Sequence, residues 1–285
     1  MAYETILSCA DLYPNLQTKN WVSVDCRFDL TQPEWGEEEY RELHIPGAVY
    51  ANLDTDLSGP KTPSTGRHPL PNPEDFLNTM SRLGIDEQTQ VIAYDATAGS
   101  FAARLWFLLR FYGHTKVAVL DGGFSEWMKL GLPIESDWET NEARQFKGTP
   151  HSEWIVSTKE IEQNLHKPDW LLIDARAPER FSGKQEPIDS IAGHIPGAVN
   201  RFYGLNLAAN GLFQPAETLK KQFSELTKGY APEKTAVYCG SGVTSAHHLL
   251  AMAIADVPQP KLYAGSWSEW IRDPEHPIIQ KEASW

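Results

Sequence analysis

The chain repeats itself. The run Val22-Ser23-Val24-Asp25-Cys26-Arg27, followed by His44-Ile45-Pro46-Gly47-Ala48-Val49, returns as Leu171-Leu172-Ile173-Asp174-Ala175-Arg176 and His194-Ile195-Pro196-Gly197-Ala198-Val199. From Asp25 to Asp174 the offset is 149, and from His44 to His194 it is 150. Val91-Ile92-Ala93-Tyr94-Asp95 matches Thr235-Ala236-Val237-Tyr238-Cys239 at an offset of 144, and Ser125-Glu126-Trp127 matches Ser268-Glu269-Trp270 at 143. Four landmarks in one order at nearly constant offset mark a duplicated domain. Solenoid repeats recur every ~20–50 residues, which excludes them here.

Each copy alternates short apolar runs with helical patterns. Trp21–Asp25, Val91–Tyr94 and Val117–Leu120 read as buried strands. Phe101–Phe111, Glu160–Leu165 and Ala216–Leu226 read as helices; in the last, Leu219, Phe223 and Leu226 share one face. Alternation of this kind predicts an α/β fold with a parallel sheet in each copy. Residues 66–73 (Gly-Arg-His-Pro-Leu-Pro-Asn-Pro) form a Pro-rich loop ahead of a helix. The division expected is a first domain over 1–133, a linker over 134–153, which is polar and carries Gly148 and Pro150, and a second domain over 154–285.

Composition narrows the function classes. No apolar run approaches the ~20 residues of a membrane span. The net charge of −13, from 25 basic and 38 acidic residues, argues against binding nucleic acid, which needs a clustered basic surface. Small anions are still admissible, because one pocket can oppose the global field. Three cysteines, Cys9, Cys26 and Cys239, are too few for a disulfide framework. The first thirty residues lack the pattern of a secretory signal, so a reducing cytoplasm is expected.

Cys239 stands apart from the other two. It ends a strand, and Gly240-Ser241-Gly242-Val243-Thr244-Ser245 separates it from a helical pattern over Ala246–Ala255. Ligands of α/β sheets bind beyond the carboxyl ends of the strands. A short Gly-rich loop can turn successive N–H groups inward, and the helix start adds partial positive charge. Both favour thiolate over thiol. Cys9 and Cys26 lack this setting and read as buried and inert. A phosphatase loop of the form Cys-x5-Arg is weakened by Ser245 in the arginine position, and a Cys-x-x-Cys pair is excluded by Gly242. No local signal marks a base for a Cys–His hydrolase. No metal cluster is evident either, since adjacent His247 and His248 diverge on a helix, one expected to be packed and one solvated.

The loop Cys239-Gly240-Ser241-Gly242-Val243-Thr244, with the doubled His-Ile-Pro-Gly-Ala-Val and Ser-Glu-Trp motifs, resembles the tandem-domain rhodanese family, closest to its 3-mercaptopyruvate sulfurtransferases. The resemblance covers about residues 6 to 280. It implies two rhodanese-like domains, each a parallel sheet flanked by helices, with Asp95 marking a non-catalytic first copy. It also implies sulfur transfer from a small anionic donor, through a persulfide on Cys239, to a thiol, cyanide or thioredoxin-like acceptor, with no cofactor and no metal. Arg180 and the loop residues Gly240, Ser241, Gly242, Val243 and Thr244 would bind the donor. His44 would relay protons with Ser241, with Glu34 and Glu37 as candidates for its acid partner. Asp25, Arg27, Asp174 and Arg176 would be framework. The neutral Gly240 and Ser241 favour 3-mercaptopyruvate over thiosulfate. Against that, Glu186-Pro187-Ile188 has isoleucine where those enzymes carry a second arginine. Thiosulfate:cyanide transfer and a persulfide carrier serving one protein partner are the alternatives.

Overall fold

The structure is a computed structural model that describes residues 2–165 and 167–280. Nine strands are present among them: β1 (Ile6–Leu7), β2 (Trp21–Asp25), β3 (Val49–Tyr50), β4 (Gln90–Tyr94), β5 (Val117–Leu120), β6 (Leu171–Asp174), β7 (Val199–Asn200), β8 (Thr235–Tyr238) and β9 (Lys261–Leu262). They form one sheet of order β1-β5-β4-β2-β3 and a second of order β7-β6-β8-β9. Every pairing is parallel. Helices connect the strands, as parallel pairing requires, so the expected α/β architecture is present in both halves.

The repeated motifs have repeated jobs. Asp25 and Arg27 form a buried ion pair at 2.7 Å, and Arg27 donates to Leu43 O at 2.5 Å. Asp174 and Arg176 pair at 2.6 Å, and Arg176 donates to Gly193 O at 2.7 Å. Each arginine thereby ties the end of an inner strand, β2 or β6, to the turn that opens the His-Ile-Pro-Gly motif. Tyr94 and Tyr238 hydroxyls each lie 3.3 Å from the Ile45 and Ile195 N–H groups in that motif. The tryptophans of Ser-Glu-Trp close the cores: Trp127 and Trp270 are fully buried and donate to Pro133 O and Pro277 O. Burial of an aromatic side chain combined with a satisfied indole N–H favours tryptophan at that point of each copy.

The chain divides into two compact units that do not follow the sequence halves. The first comprises the chain up to Gly59, Leu70–His151 and Ala209–Phe213; the second comprises Pro60–Pro69, Ser152–Ala208 and the chain from Gln214 on. Most of the stretch expected as a linker packs with the first unit. Arg144 and Phe146 N–H groups bond to Ser81, the His151 N–H bonds to Phe111 O, and Phe146 is buried against Phe76. Residues 281–285, the end of the expected second domain, lie outside the described residues.

The helices fall where the apolar spacing placed them. Phe101–Phe111 appears as Ala102–Phe111, with nine of its ten residues buried. Ala216–Leu226 appears with those bounds, burying Leu219 and Phe223. The helix after the cysteine loop runs Thr244–Ile254.

Candidate active site

Strand β8 ends at Tyr238, so Cys239 begins the loop beyond the carboxyl edge of the second sheet. The loop is held from behind. Cys239 O and Gly240 O accept N–H groups of Trp267 at 3.0 Å and Ser268 at 2.9 Å, and the Cys239 N–H donates to Ser266 Oγ at 3.1 Å. Gly242 sits at φ +77°, and a Cβ there would lie 2.3 Å from Ala264 O, so both backbone conformation and space demand glycine. Val243 is buried and precedes the helix that starts at Thr244, whose unpaired N–H groups point toward the loop.

Cys239 is 2 % exposed. Burial alone would raise its thiol pKa. Hydrogen bonds from the Thr244 hydroxyl, the Ser241 N–H, and the hydroxyl and N–H of Ser245 outweigh burial and hold it below the ordinary 9.0. The Ser245 hydroxyl is buried and meets no other acceptor among the described residues, so the Cys239 sulfur is the acceptor it serves. Cys26 shows the opposite case. It is buried without such donors, and desolvation followed by the charge of Asp25 pushes its thiol well above 9.0. In Cys9 burial, followed by Glu126, pushes the thiol up to about 11.

The first copy shows what such a loop does with an anion. Asp95, at the position of Cys239, accepts N–H groups of Thr97 (2.8 Å), Gly99 (2.9 Å), Phe101 (2.7 Å) and Ala102 (2.8 Å) through its carboxylate. Four backbone donors converge on one negative charge at a strand end and helix start. In this unit the side chain of the loop itself fills the cradle.

Arg180, on the helix Pro178–Ser182, reaches the loop from the side. It pairs with Glu186 at 2.8 Å and Asp189 at 2.9 Å. Asp174 and Arg176 act as framework, with Arg176 also 3.4 Å from Glu186. Ser241 Oγ lies 2.7 Å from Nδ1 of a histidine, and that histidine is His68.

His44 does something else. It belongs to the first unit, is fully buried, stacks on Tyr40 at 4.3 Å and sets Nδ1 2.8 Å from Tyr40 O. His194 repeats this in the second unit, stacking on Phe181 at 3.7 Å with Nδ1 2.7 Å from Phe181 O. Both histidines pack the turn of their motif, which accounts for their duplication. Glu37, weighed as a partner for His44, pairs with Arg41 at 2.8 Å on the surface. The adjacent His247 and His248 are both fully buried, not one packed and one solvated; the Asn206 amide lies 2.9 and 3.0 Å from their rings.

The residues missed from sequence are Arg67 and His68, read there as part of a Pro-rich loop. A signal existed. The comparable stretch ahead of the second copy's helix, Gly211-Leu212-Phe213-Gln214-Pro215, carries no charged residue and no histidine. Residues 60–69 join the second unit: Arg67 N–H donates to Ser268 Oγ at 3.0 Å, and Arg272 Nε to Thr65 O at 3.3 Å.

Comparison with known proteins places the chain in one family. The rhodanese-like domain family matches residues 8–130 and 157–273. The probable 3-mercaptopyruvate sulfurtransferase of Pseudomonas aeruginosa is 41% identical over 280 residues, covering 98% of this chain and 99% of that protein. The thiosulfate sulfurtransferase of Rattus norvegicus is 34% identical over 280 residues, covering 92% and 93%. Among solved structures, SseA from Escherichia coli, described under 3-mercaptopyruvate sulfotransferases, superposes with a TM-score of 0.80 at 32% identity, covering 94% of this chain and all of that one.

Proposed function

The chain belongs to the rhodanese family, with two copies of its domain, and is a sulfurtransferase; we propose that it takes sulfur from 3-mercaptopyruvate through a persulfide on Cys239. The observation that carries this reading is the Cys239 loop. A buried sulfur surrounded by N–H and hydroxyl donors is suited to exist as thiolate and, after one transfer, as persulfide anion.

In the first half-reaction the Cys239 thiolate attacks the sulfur of the donor. The new S–S bond forms as the donor's C–S bond breaks, and the carbon leaves as the pyruvate enolate. The proton on the donor sulfur moves to that carbon, giving pyruvate and a Cys239 persulfide anion. His68 and Ser241, at 2.7 Å, form a pair able to pass that proton, because each can serve as donor or acceptor. In the second half-reaction a thiol, cyanide or protein dithiol takes the outer sulfur and Cys239 returns as thiolate. Arg180 binds the donor's carboxylate.

Thiosulfate requires no proton, since sulfite leaves as an anion, so a working His68–Ser241 pair favours the mercaptopyruvate reading. The three cysteines are free and buried, and no helix of the described residues is long and apolar enough to cross a membrane. A reducing cytoplasm suits a reactive thiolate of this kind.

The test is direct. Wild-type protein treated with 3-mercaptopyruvate should gain one sulfur on the peptide containing Cys239, by mass spectrometry, and release one pyruvate. Cys239→Ser should do neither. Turnover by Cys239→Ser near the wild-type rate would falsify the assignment. Multiple turnover with small thiols separates an enzyme from a carrier that discharges to one protein only.

A further inference from the structure

Two guanidinium groups lie against the residue that follows Cys239. A Cβ placed on Gly240 would be 2.8 Å from Arg67 Nη2 and 3.3 Å from Arg180 Nη2. Arg180 comes from the helix Pro178–Ser182, Arg67 from the Pro60–Pro69 segment of the same compact unit. They share one carboxylate. Asp189 Oδ1 takes Arg67 Nη1, and Asp189 Oδ2 takes Arg180 Nη2 at 2.9 Å. The Asp189 side chain is 4 % exposed, so this sharing takes place away from bulk water.

The two acids beside these arginines are not equivalent. Glu186 is held on several sides: Arg180 Nε at 3.0 Å, Arg176 at 3.4 Å, and the N–H groups of Ile188 and Asp189 at 3.1 Å. It is a fixed counter-charge. Asp189 instead bridges the two guanidiniums beside Gly240. Arg67 has capacity left over, since its Nε–H is buried and bonded to no described residue. Burial, and then the neighbouring charge of Arg180, push the Arg67 guanidinium down to about 10, which leaves it cationic at neutral pH.

We propose that Arg67 is the second arm of the donor-binding site and that Asp189 is a resident stand-in for the donor's carboxylate, displaced when the donor binds. The proposal rests on the sulfur-transfer reading above. It accounts for Ile188, which is 38 % exposed. The arginine expected at that position is supplied from residue 67, a different part of the chain. Charge then selects the donor class. Arg67 and Arg180 face two acidic side chains, one fixed and one displaceable. A donor with a single carboxylate and an adjacent keto oxygen replaces Asp189 charge for charge and offers two acceptors to two planar forks. Thiosulfate, a dianion, leaves one charge over. The site is thereby built for a 2-keto acid.

The probe is pyruvate, which has the carboxylate and keto oxygen without the transferable sulfur. Its binding to Cys239→Ser protein is measured by calorimetry, beside steady-state kinetics of the same second-site variants in active protein. Arg67→Ala should weaken pyruvate binding and raise KM for 3-mercaptopyruvate about ten-fold or more, as expected for lost charge-assisted bonds. Arg67→Lys should fall between Arg67→Ala and wild type. Asp189→Asn should tighten pyruvate binding several-fold. Unchanged affinity in Arg67→Ala overturns the second arm, and unchanged or weaker affinity in Asp189→Asn overturns the stand-in. Thermal unfolding of each variant shows whether it is folded. Arg67 reports in any case, because its side chain is one-fifth exposed on a loop. Failure of the underlying reading looks different: wild-type protein would form no persulfide, whatever the arginine variants bind.

Discussion

His68 Nδ1 lies 2.7 Å from Ser241 Oγ, a buried pair whose members stand 173 positions apart in the chain. The bond joins the Pro60–Pro69 segment to the cysteine loop inside one compact unit. If the pair moves the proton that turns the leaving enolate into pyruvate, its loss should depend on the donor. His68→Gln is expected to lower kcat with 3-mercaptopyruvate about 100-fold. The same substitution should slow thiosulfate turnover far less, because sulfite leaves without a proton. Equal losses on both donors would mean that His68 only holds Ser241 and the loop in place. Rapid-quench measurement of pyruvate release separates this step from discharge to the acceptor.

The depressed Cys239 thiol makes a pH prediction with a definite sign. Transfer should rise with pH along a limb that lies below the ordinary thiol value of 9.0. Thr244 supplies the leading hydrogen bond against the burial penalty. Thr244→Val should move the limb to higher pH, so the ratio of variant to wild-type rate falls as the pH is lowered. A folded value below the unfolded one also links to stability. The thiolate contributes stability that is present above the unfolded pKa and lost as pH falls through the folded pKa. Cys239→Ser removes that contribution, so its stability deficit against wild type should shrink on acidification. Urea titrations at several pH values read the difference.

Much of the fold was legible because duplication supplied each signal twice. Tyr94 and Tyr238, or Trp127 and Trp270, do the same work in separate cores, and a residue needed by the fold appears in both copies. Cys239 stood out by its setting at a strand end, ahead of a Gly-rich loop and a helix start, and the matching position of the first copy holds Asp95 instead. His44 misled: its twin His194 marks it as a packing residue, and the relay role came only from family resemblance. Arg67 and His68 were marked only by a difference between the copies, which does not say what they do. Their function depends on a tertiary placement, the docking of residues 60–69 on the Ser268 end of the second unit, which no local periodicity encodes. The capture of residues 134–151 by the first unit was hidden similarly, since it rests on two separated aromatics, Trp138 against Tyr40 and Phe146 against Phe76, and on backbone bonds to Ser81 and Phe111, all within a mostly polar stretch.

Asp95 should matter for stability and not for chemistry. Its carboxylate accepts four backbone N–H groups, all of which would be left without that acceptor by Asp95→Ala. The cost should be about 3–5 kcal/mol, given ~1–3 kcal/mol for each buried donor left unpaired and partial rescue by water. Asp95→Asn keeps one acceptor oxygen and should cost roughly half as much. Asp95→Cys should not create a second sulfur-transfer site. The first loop runs from Asp95 to a helix start at Ala102, the second from Cys239 to Thr244, so the donors are spaced differently around the new sulfur. Chemical denaturation gives the first two values, and mass spectrometry after donor treatment gives the third.

Ser266 carries the last contrast between the copies. It is fully buried at φ +55°, in the left-handed region that disfavours a side chain. Its counterpart Gly123, at the same place ahead of the repeated tryptophan motif, has φ +57°. The first copy therefore takes the unstrained residue. The second keeps a serine, whose Oγ accepts the Cys239 N–H at 3.1 Å and donates to Tyr263 O at 2.9 Å. Strain held at a functional loop makes Ser266→Gly and Ser266→Ala diverge. Both lose the bond to Cys239 and should turn over several-fold more slowly. Only the glycine variant relieves the backbone, so it should be more stable than the alanine variant by about 1 kcal/mol. Equal unfolding midpoints for the two would show that position 266 stores no strain. A glycine variant with full activity would show that the Cys239 N–H does not need its serine.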